Sequence, residues 1–414
     1  MRILIWHGYL LGGTGSNVYT RQLAREWSLQ GHDVTVFCQD SHPERSDVGS
    51  ARVERPDAGS LLPVFVLDEY EGYEPRLLQD CARDDLDSWV EANAAAVREH
   101  LPADLLYCNH VLLGGAVGRA TDAPYVVKAH GSELEYSMRG NRELEQWGLE
   151  VLNRAHAVVV GSTHIEAVLR EVCGYEGEVH EIPPGVDVDA WLPQPPDVAL
   201  AELIAEARKD PANPGNANAR LPDEGNAARL AAFLAGGKPT VVYFGKLLYN
   251  KGVHLLLEAL AGIDARAVVV GFGDYRNELE RIADPDKTLF TGPLEHRHLR
   301  HLLALADACV VPSIFPEAFG MVAAEAAAAG CPPLVARHSG LAEIAEGLEA
   351  VYPPALRDLV SFPNGDVDEL RAKLATLLAL PSGERAALRA SARSAAVERW
   401  SWSGVAERLL ALRR

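Results

Sequence analysis

The sequence predicts an α/β protein made of two doubly wound halves, each with a parallel sheet. Three observations predict it. Apolar runs such as residues 2–6 and 240–244 are continuous rather than alternating, as in strands buried on both faces. Each run leads through a glycine-containing loop into a helical pattern and a further apolar run, the βαβ succession. Between the halves, residues 193–237 turn polar and rich in Pro, Asn and Ala, which marks a boundary.

At 414 residues the chain has room for two or three domains, each with its own core. A hydrophobic content of 48% and a charged content of 23% are those of a globular protein in water. The formal charge is −19, from 39 Lys and Arg against 58 Asp and Glu. Such a surface repels polyanions, so nucleic acid is excluded as a partner and an anionic membrane is disfavoured. A local basic pocket stays compatible with it, and so does a charge that serves solubility alone. The cysteines (38, 81, 108, 173, 309 and 331) form no C-x-x-C pair, and several sit in apolar runs. That pattern predicts a reducing compartment and no structural zinc. Residues 1–6 are too short an apolar run for a signal peptide, and no stretch approaches the ~20 residues of a membrane span. The expected location is the cytoplasm.

In order, residues 2–6 form the first strand. Gly8 and the loop Gly12-Gly13-Thr14-Gly15-Ser16-Asn17 follow, then a helix over 18–30 stopped by Gly31, then a strand over 34–37. The loop is not a clean G-x-G-x-x-G, and no acidic residue closes the second strand, so a dinucleotide site is disfavoured. Gly12 and Gly13 either bring backbone N–H groups to a phosphate or supply a tight turn. Residues 40–72 suggest a long loop with one strand at 64–67, and 80–99 an acidic helix. A strand at 105–108 is closed by Asn109-His110. The strand at 125–129 ends at His130-Gly131-Ser132-Glu133. Residues at the C-terminal ends of parallel strands face the ligand crevice, which singles out His130; a histidine capping backbone is the alternative. A strand at 157–160 and a helix at 165–172 complete a first domain over 1–190.

Residues 191–239 are expected to be a linker carrying one or two short helices, such as 198–208. The second half opens with the strand 240–244, Gly245-Lys246-Leu247, and Lys251-Gly252 at the head of a helix over 253–260. Two lysines at a strand end and a helix start suit an anion; two surface lysines are the alternative. Strands follow at 267–270, 288–290, 308–311 and 333–336, with Gly271-Phe272-Gly273 after the first and Thr291-Gly292 after the second. A helix is expected at 298–306. The chain is helical from 367, interrupted at Trp400-Ser401-Trp402 before a last helix over 404–412. The second domain is thus 240–398, with 399–414 as a terminal helix.

Within that half, Glu317 and Glu325 stand eight residues apart. Glu317 lies in a loop; Glu325 lies in an Ala-rich run that ends at Gly330 and predicts a helix. Both carboxylates can then face one ligand, beside the free N–H groups of Phe319, Gly320 and Met321 at the helix start. On spacing alone, a capping region with one solvated glutamate fits equally well. The pairs Asp187/Asp189 and Asp366/Asp368 fit D-x-D, yet their positions suit caps and turns. His296, His298 and His301 have no zinc spacing, and no G-x-S-x-G elbow occurs.

Taken together, these motifs resemble the retaining GT-B glycosyltransferases of family 4, over nearly the whole length. The resemblance rests on E-x7-E at Glu317 and Glu325, on Gly245-Lys246-Leu247 with Lys251-Gly252, on Ile182-Pro183-Pro184-Gly185-Val186-Asp187 and on Val311-Pro312-Ser313. It implies two Rossmann-like domains facing a central cleft, with the terminal helix crossing back to the first. It implies that Gly12, Gly13, Lys246 and Lys251 hold a donor diphosphate. Glu317 and the segment Phe319-Gly320-Met321-Val322 would hold the sugar, and Glu325, Thr291 and Leu294 the nucleoside. His130 would contact the sugar near the reacting carbon, so that Glu317, His130 and Lys251 form the catalytic set. Glu133 is the candidate on the acceptor side. The implied reaction moves a hexosyl group from a nucleotide sugar, UDP-linked first and GDP-linked next, to a hydroxyl of a small soluble or saccharide acceptor. The donor is a substrate, and neither cofactor nor metal is expected. Lys246 stands where the family usually has Arg, which makes that contact a point charge rather than a fork. The linker is longer than usual. Acidic residues over 68–104 disfavour a lipid acceptor. The rival readings are a nucleotide-sugar epimerase of the same fold and a non-catalytic nucleotide-sugar-binding subunit.

Overall fold

In a computed structural model the chain is described over residues 1–12, 15–67, 70, 72–213 and 221–413. Gly13, expected at the donor phosphate, lies outside the described residues. The chain divides into two units, Met1–Gly185 with Trp402–Arg414, and Val186–Ser401.

Unit 1 holds β1 (Arg2–Trp6), β2 (Asp33–Phe37), β3 (Arg52–Glu54), β4 (Leu61–Val64), β5 (Glu74–Leu77), β6 (Leu105–Asn109), β7 (Val126–Lys128), β8 (Ala157–Val160) and β9 (His180–Glu181). Seven of these form one parallel sheet in the order β3-β2-β1-β6-β7-β8-β9; β4 and β5 pair separately, also in parallel. The strand expected at 64–67 therefore lies earlier, at Leu61–Val64. The order reverses between β1 and β6, whose register pairs Trp6 with Cys108. In β1, Ile3 and Ile5 enter one core, Leu4 and Trp6 the other, and all four are fully buried. Alternate side chains of a pleated strand point to opposite faces, so a run apolar at every position requires cover on both. One cover is the helix Gly15–Leu29. The helix Trp402–Leu410 packs beside it, with Trp402, Val405, Ala406 and Leu409 in the same core as Ile5 and Trp27. The Trp27 indole N–H donates to Ala406 O at 3.3 Å.

Unit 2 holds β10 (Thr240–Phe244), β11 (Arg266–Val270), β12 (Thr288–Phe290), β13 (Ala308–Val311), β14 (Pro333–Ala336) and β15 (Ser361–Phe362). They form a second parallel sheet in the order β12-β11-β10-β13-β14-β15. Here the order reverses between β10 and β13. The fold class is α/β, as the sequence predicts.

Residues 191–239 are not a free linker. They carry the helices Pro196–Ala207 and Asn226–Leu234, and Trp191, Leu203, Leu230 and Leu234 lie in the unit 2 core. Polar anchors reinforce the docking. Arg266 donates to Leu234 O at 2.9 Å and Ala235 O at 2.7 Å, and Arg297 reaches Asp210 at 2.6 Å. The histidines that lacked metal spacing belong to the same contact: His301 meets Gln194 at 2.6 Å, and His298 lies 3.0 Å from Asp210. Asp366 accepts from Glu369 N–H as the cap of the helix Val367–Leu378. No described helix is long and apolar enough to cross a membrane.

Candidate functional site

In both units the candidate residues gather at the C-terminal strand ends beside the point where strand order reverses, the place where such sheets bind ligands.

In unit 2 the loop after β10 is shaped by close backbone approach. Gly245 has φ +151°, and a Cβ on Gly271 would stand 1.8 Å from Gly245 O. The loop thus lies flat on the end of β11, and Leu247 N–H donates to Phe272 O at 2.7 Å. Lys246 is exposed, and its ammonium has no partner among the described residues. Lys251 closes a short turn at Gly252, whose φ is +69° and whose added Cβ would meet Pro312 O at 1.9 Å. That approach locks the turn against the end of β13 and aims Lys251 at Glu317, with Nζ 2.5 Å from Oε1. Both side chains are less than a third exposed, at 30% and 22%. Lys246 and Lys251 therefore differ: one ammonium is open, the other already neutralised by a carboxylate that a phosphate can displace.

The Glu317 loop is held from the start of the helix Ser339–Glu349, which follows β14. Glu317 N–H donates to Ser339 Oγ at 2.9 Å, and Gly340 N–H to Glu317 O at 3.0 Å. The next helix spans Met321–Ala328 with Gly320 as its cap at φ +113°. The N–H groups of Phe319, Gly320, Met321 and Val322 have no partner among the described residues. Beside Glu317 they leave backbone donors of the kind that suit an anion or hydroxyl oxygens. Phe319 contributes backbone only, because its ring packs against Trp400 at 6.1 Å. Glu325 lies on the first turns of this helix, its side chain 14% exposed. Burial pushes its carboxyl up to about 8. His296 Nε2, at 3.7 Å, is too far to offset that. A neutral carboxyl both donates and accepts, which suits paired hydroxyls.

Thr291 follows β12 but does not present its hydroxyl, which donates to Gly292 O at 2.9 Å within a fully buried site. Its carbonyl receives Asp223 N–H at 2.8 Å and Asn226 Nδ2 at 2.9 Å. Leu294 is 9% exposed. The segment can line a flat group through backbone and Leu294, not through the threonine side chain.

In unit 1 the three strand ends bring together a group that the sequence reading saw only at Gly12, His130 and Glu133. His130 Nε2 lies 2.7 Å from Asn109 Oδ1, the oxygen of an amide whose nitrogen faces Trp6 O at 3.5 Å. His130 is held well below the ordinary histidine value, chiefly by burial. It is thus a neutral imidazole with the proton on Nε2. His7, after β1, is fully buried and pushed down to about 3 by burial and by His110. Its Nε2 lies 2.8 Å from Asn17 Oδ1, and Asn17 Nδ2 donates to Gly12 O at 2.5 Å. Among the described residues, nothing lies within 4 Å of a Cβ added at Gly12. His110 stacks on His7 with ring centres 6.0 Å apart and lies tilted against His130 at 4.7 Å. Lys128 is buried, donates to Ile182 O at 2.7 Å and is pushed down to about 7 by burial. Glu133 is fully buried and faces His110 at 3.2 Å, so its carboxylate is engaged inside the protein rather than offered to an acceptor. His7, Asn17 and His110 were missed, although the strand-end rule that selected His130 applies equally to β1 and β6. Among the described residues, no group of three or more His, Cys, Asp or Glu is placed to hold a metal ion.

With this geometry in view, two family descriptions match the chain: Glycosyltransferase Family 4 over residues 13–190 and Glycosyl transferases group 1 over residues 228–395. A D-inositol 3-phosphate glycosyltransferase of Xylanimonas cellulosilytica is 30% identical over 96% of this chain and 90% of its own. A GDP-mannose-dependent α-(1-6)-phosphatidylinositol monomannoside mannosyltransferase of Mycolicibacterium smegmatis is 26% identical over 73% of this chain and 72% of its own. Among solved structures, HepE from Anabaena in complex with UDP superposes with a TM-score of 0.70 at 19% identity, covering 99% of this chain and 98% of that one. Sucrose-phosphate synthase from Thermosynechococcus elongatus superposes with a TM-score of 0.67 at 22% identity, with the same coverage.

Proposed function

The chain belongs to glycosyltransferase family 4 and has the GT-B fold, and from that premise we propose that it moves a hexosyl group, with retention, from a nucleoside-diphosphate sugar to a hydroxyl of a small polyol or saccharide. The observation that carries this reading is the Lys251–Glu317 pair at 2.5 Å, set beside the open Lys246 and the unpartnered N–H groups of Phe319 to Val322. Breaking the bond between the sugar C1 and the diphosphate oxygen sends the electron pair to the leaving group. Lys246 and Lys251 stabilise that charge without a metal. When the phosphate draws Lys251 away, Glu317 is released toward the sugar, where a carboxylate supports an oxocarbenium-like centre. The acceptor oxygen then bonds to C1 and its proton leaves with the diphosphate. The neutral Glu325 carboxyl holds the ribose hydroxyls. Gly12 and His130, which the resemblance assigns to the phosphate and the sugar, stand at the strand ends of unit 1.

UDP-sugars are the first donors to test and GDP-sugars the second, since one relative is named as GDP-mannose-dependent. D-Inositol 3-phosphate, the acceptor in the name of another, is the first acceptor, with neutral saccharides beside it. Each pairing is incubated with and without a chelator, and the product is read by mass spectrometry and by the anomeric coupling in its proton spectrum. The reading expects one donor to give a glycoside of the donor's own anomeric configuration, at an unchanged rate in chelator. An inverted anomer would refute retention, a rate abolished by chelator would refute metal independence, and a free isomerised sugar nucleotide would make the protein an epimerase.

A further inference from the structure

Glu133 takes no part in the chemistry so far derived, yet it is a fully buried acid at the strand end that carries His130. Its Oε1 accepts the His130 backbone N–H at 2.9 Å and the Val111 N–H at 3.4 Å, and its Oε2 faces His110 Nδ1 at 3.2 Å. Burial alone would push such a carboxyl up, but His110 facing it and the backbone N–H groups it accepts hold it below the ordinary range. An ionised carboxylate has no proton to give, so the proton between the two side chains belongs to His110 Nδ1. Nε2 is then the nitrogen His110 presents, and it is buried with no partner among the described residues. The ring has little freedom, with Tyr9, Phe65 and His130 packed at 5.5, 4.9 and 4.7 Å. The backbone of His110 is left-handed, at φ +71°. Non-glycine residues are held there only where their surroundings over-determine them, and such positions cluster at functional sites.

We propose that Glu133 is a positioning residue, which fixes His110 in the Nδ1-protonated form with Nε2 presented to a substrate hydroxyl, and anchors the backbone of His130. The proposal rests on the reading of His130 as a sugar contact. A buried acid is a poor choice for packing alone. What it does that an apolar side chain cannot is select a tautomer and a ring orientation, as the aspartate of a serine-protease triad does.

Two variants separate this role from a structural one. Glu133→Gln keeps the shape and the acceptor for the His130 N–H, but turns an NH2 toward Nδ1, which drives the His110 proton to Nε2. His110→Asn suits the left-handed backbone, keeps an N–H toward Glu133 and deletes Nε2. The first readout uses the full chain labelled with 15N-histidine, with long-range 1H–15N spectra reporting the tautomer and His110→Asn giving the assignment. The expected result is Nδ1-protonated His110 in the native protein and Nε2-protonated His110 in Glu133→Gln; an Nε2-protonated native His110 overturns the proposal. The second readout is nucleoside diphosphate release from UDP-glucose or GDP-mannose, whichever the native protein turns over. Both variants are expected to lower kcat about 100-fold, the effect of a small misplacement at a reacting centre, with donor KM within about twofold. Lower thermal midpoints with native kcat per folded molecule would reduce Glu133 to a structural role and overturn it. If neither donor is turned over, the reading of function fails, while the tautomer spectra still decide this proposal.

Discussion

Lys251 and Glu317 carry opposite charges in contact, yet their pairing contributes little to stability. Both are partly exposed, and pairs of that kind are worth ~0–1 kcal/mol. The expected outcome for Lys251→Ala and Glu317→Ala is therefore a thermal midpoint near the native one and a loss of turnover of about 10²–10³-fold for the lysine. A variant that unfolds instead would make the pair structural. Glu325 behaves oppositely. Its carboxyl stands at about 8 in the folded protein, above the ordinary ~4.3. Between those values the folded state holds a proton that the unfolded chain has released, so Glu325 makes stability fall as pH rises across that window. Glu325→Gln should remove that slope and melt higher than the native protein at pH 9, by an amount on the order of a few kcal/mol, while losing nucleotide affinity. Identical pH dependence of melting in the two proteins would contradict the shift.

Among the elements, the turns at the strand ends carry the geometry. At Gly252 a methyl group would meet Pro312 O at 1.9 Å, on a backbone at φ +69°. Gly252→Ala should cost about 2–3 kcal/mol in urea unfolding and weaken nucleoside diphosphate binding together with it, because the same turn aims Lys251. Retained affinity in a destabilised protein would separate the turn from the site. This is also the scale at which the sequence was most legible. Lys246 and His130 were found because each follows a continuous apolar run, and such runs end at the ligand edge of a parallel sheet; Lys251 was found at the head of the next helix. His7 and His110 follow the same kind of run, but their importance depends on β1 and β6 being neighbours, which strand order decides and local pattern does not show. The Lys251–Glu317 contact spans 66 residues and was equally invisible. Residues 191–239 were misread for a related reason. Their polar, Pro-, Asn- and Ala-rich composition suggested a linker, whereas Leu203, Leu230 and Leu234 on two helices decide where the segment packs.

For the whole molecule, the chain leaves unit 1 at Gly185 and returns to it at Trp402. The last helix is part of the first unit's core rather than an appendage. A chain ending at Ser401 would uncover the face formed by Ile5, Leu23 and Trp27. Deleting several buried side chains at once exceeds the ~5–15 kcal/mol that holds a domain together, so such a truncation should give an insoluble or molten unit 1. Near-native circular dichroism and a cooperative melt would show that the helix is dispensable.

The central claim is that unit 2 binds and activates a sugar-linked diphosphate through Lys246, Lys251 and Glu317. It is tested most directly by nucleoside diphosphate release, without acceptor, from UDP-, GDP- and ADP-sugars, by the native protein and by Lys251→Ala. The account predicts slow release from one donor class by the native protein and its loss in the variant. No release from any donor, or equal release by both proteins, would contradict it.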